Sequence, residues 1–361
     1  MKKIISIFVS FIIVLFLGIF IFLPKEEFSE NENRYLEKIA KFNFENIKTG
    51  KFQSSLNDYI SDHFPFRGTL LGNKNRLMHT FGMYRINDVY YSKDNKLLEE
   101  YSTPKNRDRI IRIVNKFSRK NNDVNVEFML VPTSVSIYED DISKYNLNSS
   151  EFDVIDYYKE KLDVKFIDTR NTLLKNKDSY IYYNSDHHWT TLGAYYAYLD
   201  YCKINGIDAK NFDFEKVSND FRGTLYSKIL DNSTKKDYII RVYDDNKYRV
   251  ISDGKEDVLY DNSYLKKKDK YSYFLGGNKG LTSIENLNIK SNDSILIIKD
   301  SYANCFIPFI INNYKNVYII DPRYYSESIN KFIDDKNIEN VLFLYNVLTI
   351  DDDLGIVSIN R

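Results

Sequence analysis

Lys2 and Lys3 are followed by twenty uncharged residues, Ile4 to Leu23, interrupted only by Ser6, Ser10 and Gly18. At ~1.5 Å per residue, a helix of that length spans a ~30 Å hydrocarbon core. The lysine pair is expected to stay in the cytoplasm, which sends everything after Pro24 to the outside. A secretory signal peptide is the competing reading. Its apolar stretch is commonly ~7–15 residues and ends at a small-x-small cleavage site, and Leu23-Pro24-Lys25-Glu26-Glu27 offers no such site. Residues 1–24 therefore read as an uncleaved anchor, and no second apolar run of that length follows.

Beyond the anchor the polar stretch 25–50 reads as a stalk, and 51–361 as one ectodomain. From Gly50 to Phe81, Phe52, Leu56, Tyr59, Ile60 and Phe64 recur at helical spacing, broken at Pro65. Val89 to Leu98 predicts a hairpin around Lys93-Asp94-Asn95-Lys96. Helices are expected at 108–121, 152–162, 190–204, 303–314 and 329–333. Short apolar runs at 126–131, 164–168, 181–183, 294–298, 317–320 and 341–345 read as strands. Strands alternating with helices predict an α/β fold with a mostly parallel sheet. The turn-rich stretch at about 211–285 reads as a β-rich insertion.

Composition narrows the function classes. With 51 basic and 51 acidic side chains, the chain carries no electrostatic footprint for nucleic acid. Its two cysteines, Cys202 and Cys305, exclude both a disulfide scaffold and a paired-cysteine zinc ribbon. The 31 tyrosines admit two explanations, aromatic platforms for sugars or a genome-wide bias that also favours Asn, Lys and Ile.

Two of the four histidines are adjacent, in Asn184-Ser185-Asp186-His187-His188-Trp189-Thr190-Thr191, which also holds the single tryptophan. The run lies between an expected strand and an expected helix, and Thr190 or Thr191 can cap that helix. One chemistry for it is metal ligation, but neighbouring residues seldom converge on one ion without further ligands. The other is an Asp–His pair: the carboxylate fixes one ring nitrogen, and the second takes a proton from a nucleophile. Ser301 suits that nucleophile, because it follows the apolar run Ser294–Ile298 and an Asp, with a helix expected after it. Backbone N–H groups at such a start can stabilise an oxyanion. Asp62-His63 reads instead as structural at a helix end, and Cys305 as a small buried residue.

Asp186-His187-His188-Trp189 resembles the signature of the DHHW proteins, which are similar to the J- and X-type alginate O-acetyltransferases. Glu32-Asn33-Arg34, Tyr59 to Arg67, Phe221 to Leu225, Asp300-Ser301-Tyr302 and Asp321 to Tyr324 extend that resemblance over nearly the whole ectodomain. It implies an SGNH-hydrolase-like three-layer α/β sandwich in which the Asp–His pair precedes the serine in the chain. It also implies catalysis by Ser301, His188 and Asp186. Departures are visible: Lys299 stands where ordinary SGNH esterases carry Gly, and no His follows His188. Asn278 in Gly276-Gly277-Asn278, together with Tyr302, Asn304, Arg323 and His187, are the candidate oxyanion or substrate contacts. The expected function is a membrane-anchored O-acetyltransferase acting on an extracellular or cell-wall polysaccharide. A carbohydrate acetylesterase with the same triad and a non-catalytic sugar-binding or assembly protein are the alternatives. A polysaccharide acceptor and a separate multi-pass membrane acyltransferase supplying acetyl are the implied partners, with no cofactor and no metal.

Overall fold

The computed structural model describes residues 2–142 and 147–360. They fall into two compact units, Met1–Asn87 with Tyr226–Ser233, and Asp88–Leu225 with Thr234–Arg361.

The first unit opens on the helix Lys2–Phe22, whose stretch Lys3–Phe22 buries none of its side chains. A two-stranded hairpin (Phe28–Ser29 with Arg34–Tyr35) and three helices follow: Phe44–Lys48, Lys51–Asp62 and Arg67–Thr80. The last two are separate because Pro65 disfavours helical geometry at Phe64, and Phe66 then takes a left-handed φ of 58°. Charged pairs tie these pieces together. Arg34 donates to both carboxylate oxygens of Asp62 at 2.8 and 2.6 Å, and Arg67 Nε donates to Glu32 at 2.9 Å. His63 belongs to this frame: one ring nitrogen meets the Tyr59 carbonyl at 2.9 Å and the other the Glu26 carbonyl at 3.1 Å. A Cβ on Gly72 would fall 2.1 Å from the Leu230 carbonyl oxygen, so the later segment lies directly against this helix.

The second unit is built on an eight-stranded mixed sheet, counted among the described residues. Five strands run parallel, in spatial order 316–320, 294–299, 340–346, 125–131 and 165–167. Three antiparallel strands, Leu281–Asn286, Tyr248–Ser252 and Lys255–Asp257, extend the 316–320 edge. The strand Ser294–Lys299 is buried at every position, which requires cover on both faces. Helices Arg107–Lys120 and Glu151–Lys161 pack on each other, while Thr191–Asn205 packs with Arg170–Lys175 and the turn after residue 300. Nine of the twelve largest fully buried side chains among the described residues are tyrosines. These tyrosines fill the core instead of forming a sugar platform.

Within the 211–285 stretch, Asp237–Tyr243 pairs with Asp213–Phe221, whereas Tyr248–Ser252 joins the main sheet. Two local expectations need correction. Residues 181–183 form no sheet strand; Tyr182 makes an isolated antiparallel bridge to Trp189, so the histidine loop closes on itself. The helix expected over 303–314 is divided into a 3₁₀ turn, Ser301–Cys305, and a short helix, Ile307–Ile310. Pro308 has no N–H to continue a helical ladder from the preceding turn.

Candidate active site

Strand 294–299 lies between two parallel neighbours that follow it in the chain, 316–320 on one side and 340–346 on the other. The chain thus reverses direction across the sheet at the carboxyl end of this strand, where α/β folds open a crevice. Ser301 stands there. Asp300 shapes the turn: its Oδ1 accepts from the Tyr302 N–H at 2.8 Å, and its Oδ2 accepts from the Asn346 N–H and side-chain amide at 2.8 and 2.6 Å. Burial pushes the Asp300 carboxyl up to about 6 despite those donors.

The loop 184–190 supplies the other half. His188 Nε2 lies 2.8 Å from Ser301 Oγ, and His188 Nδ1 lies 2.5 Å from Asp186 Oδ1. An ionised carboxylate only accepts, so Nδ1 carries the proton and Nε2 is free to accept from the serine hydroxyl. Asp186 Oδ1 also accepts from the His188 backbone N–H at 3.0 Å. Its Oδ2 accepts from the Thr224 N–H at 2.8 Å and hydroxyl at 3.1 Å. Gly223 is required beside it: a Cβ there would lie 2.1 Å from Asp186 Oδ2. Asp237 holds the loop from below, accepting from the N–H and side chains of both Asn184 and Ser185.

Burial works to raise the Asp186 carboxyl, but the neighbouring imidazoles and its hydrogen bonds outweigh it and hold the group well below the usual carboxylate range. Burial pushes the His188 imidazole down to about 4, helped by His187 and opposed by Asp186. At neutral pH the pair is therefore carboxylate beside neutral base.

Asp186, His187 and His188 each offer an atom within 4.8 Å of the others, the spacing of a metal site. Both Asp186 oxygens already accept two hydrogen bonds each, and His187 Nδ1 meets Thr224 Oγ1 at 2.6 Å. An ion would have to break that network, so these donors fit an orienting pair better than a ligand set.

His187 is partly exposed, its ring 3.9 Å from that of His188. Tyr302 is wholly buried and donates to the His187 carbonyl at 2.5 Å, which pins the loop to the serine turn. The Trp189 indole, also buried, donates to the Tyr302 carbonyl at 2.8 Å. Asn278 and Asn304 meet at the Lys299 ammonium, 2.8 and 2.6 Å away. Arg323 is committed to Asp321 through bonds of 2.8 and 2.6 Å. Cys305 is buried, and burial pushes its thiol up to about 12.

Tyr271 escaped sequence reasoning. Its ring stacks on His188 with centroids 3.7 Å apart and planes 11° apart, while its hydroxyl donates to the Ser301 carbonyl at 2.9 Å. One tyrosine among 31 carries no local signal. Thr224 and Gly223 did have one, the segment Phe221 to Leu225.

Residues 86–320, about two thirds of the chain, match the family profile described as DHHW protein. A DHHW family protein from Eubacterium siraeum superposes with a TM-score of 0.68 at 26% identity, covering 76% of this chain and 96% of that one. PatB1 of Bacillus cereus, in a structure with a sulfonyl adduct, superposes with a TM-score of 0.64 at 20% identity, covering 76% of this chain and 100% of that one. A weaker likeness, TM-score 0.46 at 12% identity, extends to the O-acetyltransferase domain of Pseudomonas putida AlgJ, over 73% of this chain and 92% of that one. None of the curated proteins matches the sequence.

Proposed function

Given that this chain belongs to the DHHW protein family, we propose that it is a serine-dependent O-acetyltransferase of an extracellular or cell-wall polysaccharide. The observation that carries the reading is the continuous line from Asp186 through His188 to Ser301, with contacts of 2.5 and 2.8 Å.

In this reading His188 Nε2 takes the Ser301 proton as Oγ attacks the acetyl carbonyl of a donor. The tetrahedral oxyanion collapses, the donor's leaving group departs with the proton from His188, and an acetyl ester remains on Oγ. A sugar hydroxyl then gives its proton to His188 and attacks that ester. The acetylated sugar leaves, and the proton returns to Ser301. Asp186 stays ionised throughout and stabilises the imidazolium formed at each step. The helix Lys2–Phe22 serves as the anchor, with the catalytic unit on the extracytoplasmic side. An acetyl donor on that side implies delivery across the membrane by a separate multi-pass acyltransferase.

The test is intact mass of the detergent-solubilised full chain after mixing with 4-nitrophenyl acetate. One added acetyl on the native protein, absent from Ser301→Ala and His188→Ala, is the expected result. A sulfonyl reagent, the class seen as an adduct in the PatB1 structure, should modify the same residue. No adduct on folded native protein would sink the acyl-enzyme reading. Release of acetate only, with sugar oligomers present, would mark an esterase.

A further inference from the structure

We propose that Lys299 is a positioning residue: it locks the Asn278 side-chain amide as an oxyanion donor next to Ser301, a role that rests on the acyl-enzyme reading above.

Of the backbone donors at this turn, the Tyr302 N–H is already taken by Asp300 Oδ1 at 2.8 Å, so a second oxyanion donor, beside the Ser301 N–H, has to come from a side chain. Lys299, the residue before Asp300, is 1% exposed. A buried ammonium must be surrounded by acceptors, and Lys299 Nζ has three: Asn278 Oδ1 at 2.8 Å, Asn304 Oδ1 at 2.6 Å and Asp321 Oδ2 at 3.7 Å. Asp321 is itself held by Arg323.

An ammonium only donates, so both amide oxygens have to face it. Each planar amide then turns its nitrogen away from Lys299. Asn304 uses one of its N–H groups on Asn278 Oδ1 at 3.1 Å. That contact sets Asn278 against the same turn that begins at Ser301. Asn278 is half-buried, and its side-chain nitrogen makes no hydrogen bond among the described residues. It is a fixed donor without a partner, the condition expected of an oxyanion hole in its resting state.

The backbone leading to Asn278 is equally constrained. Leu275, Gly276 and Gly277 take successive left-handed φ values of 60°, 62° and 88°. Leu275 is 2% exposed, so its side chain holds the backbone in a conformation that costs a non-glycine residue ~1–3 kcal/mol. A Cβ on Gly277 would approach Ser272 Oγ to 3.1 Å. Strain of this kind persists only where the surroundings over-determine it, and it gathers at working sites.

The experiment measures the rate of acetyl adduct formation, by intact mass with 4-nitrophenyl acetate, on the full chain in detergent. Asn278→Asp keeps an oxygen for Lys299 but loses both N–H donors. It should retain the native melting temperature and acylate ~10²–10³-fold more slowly. Lys299→Met should slow acylation at least tenfold in the native background, but less than about threefold when Asn278→Ala is already present. Native acylation by Asn278→Asp, or an equal cost of Lys299→Met in both backgrounds, overturns the proposal. Should Lys299→Met fail to fold, Lys299→Gln in the same two backgrounds decides in its place. Absence of any adduct on the native chain would overturn the acyl-enzyme reading itself, and this result is distinct from both.

Discussion

In the proposed mechanism, the chemistry of Ser301 depends on the protonation state of one imidazole. His188 accepts a proton only when neutral, and burial favours that form while Asp186 opposes it. With a pKa lowered from 6.5 to about 4, the base is present throughout the mildly acidic range. Activity should therefore hold as pH falls through 6.5, and decline only as pH approaches about 4. A half-maximal point at or above 6.5, in a pH series of nitrophenyl acetate acylation, would show Asp186 prevailing over burial. Asp186→Asn removes the acceptor that fixes the tautomer. It should cut the acylation rate by about 10³–10⁴ while leaving the overall fold, read by circular dichroism, in place. The neighbouring His187 is tied to Thr224 and faces no such demand.

Four separate elements assemble the candidate site: the loop 184–190, the segment 221–225, the loop carrying Tyr271, and the turn 300–305. Their contacts explain residues that have no chemistry of their own. Gly223 is the sharpest case, since a methyl group there would occupy the space of the Asp186 carboxylate. Gly223→Ala should lower stability by about 1–3 kcal/mol, as overpacking does, and should slow acylation far more than the melting temperature suggests. Urea denaturation and adduct kinetics on the same variant check the two effects separately. Equal, small effects on both would mean that the loop relaxes around the added methyl. Tyr271 belongs to the same scale, because one ring supports the His188 imidazole while its hydroxyl caps the Ser301 carbonyl.

For the whole molecule, the helix Lys2–Phe22 has the length and composition to cross a membrane. Removal of residues 1–24 should shift the protein from the membrane pellet to the supernatant on ultracentrifugation, with acylation by nitrophenyl acetate retained. Pelleting of the truncated chain would instead assign membrane affinity to the exposed apolar residues of the first unit, such as Phe42, Phe44 and Phe81. Much of this architecture was legible in the residue pattern. The apolar run 4–23, the alternation of strands and helices, and Asp186-His187-His188-Trp189 with Asp300-Ser301 all announce themselves within a few residues. Periodicity and capping are short-range effects, and such signals survive in a linear string. Where local signals compete, the reading failed: Pro308 divided an expected helix, and Tyr182 bridged to Trp189 instead of entering the sheet. The meeting of these side chains was decided by tertiary structure. His188 and Ser301 are 113 residues apart, Thr224 and Asp186 are 38 apart, and Lys299 and Asn278 are 21 apart. No periodicity records which distant side chains will meet. The parallel order of the strands and the packing of buried groups decide that, because a buried carboxylate, imidazole or ammonium must find its partners within the folded chain.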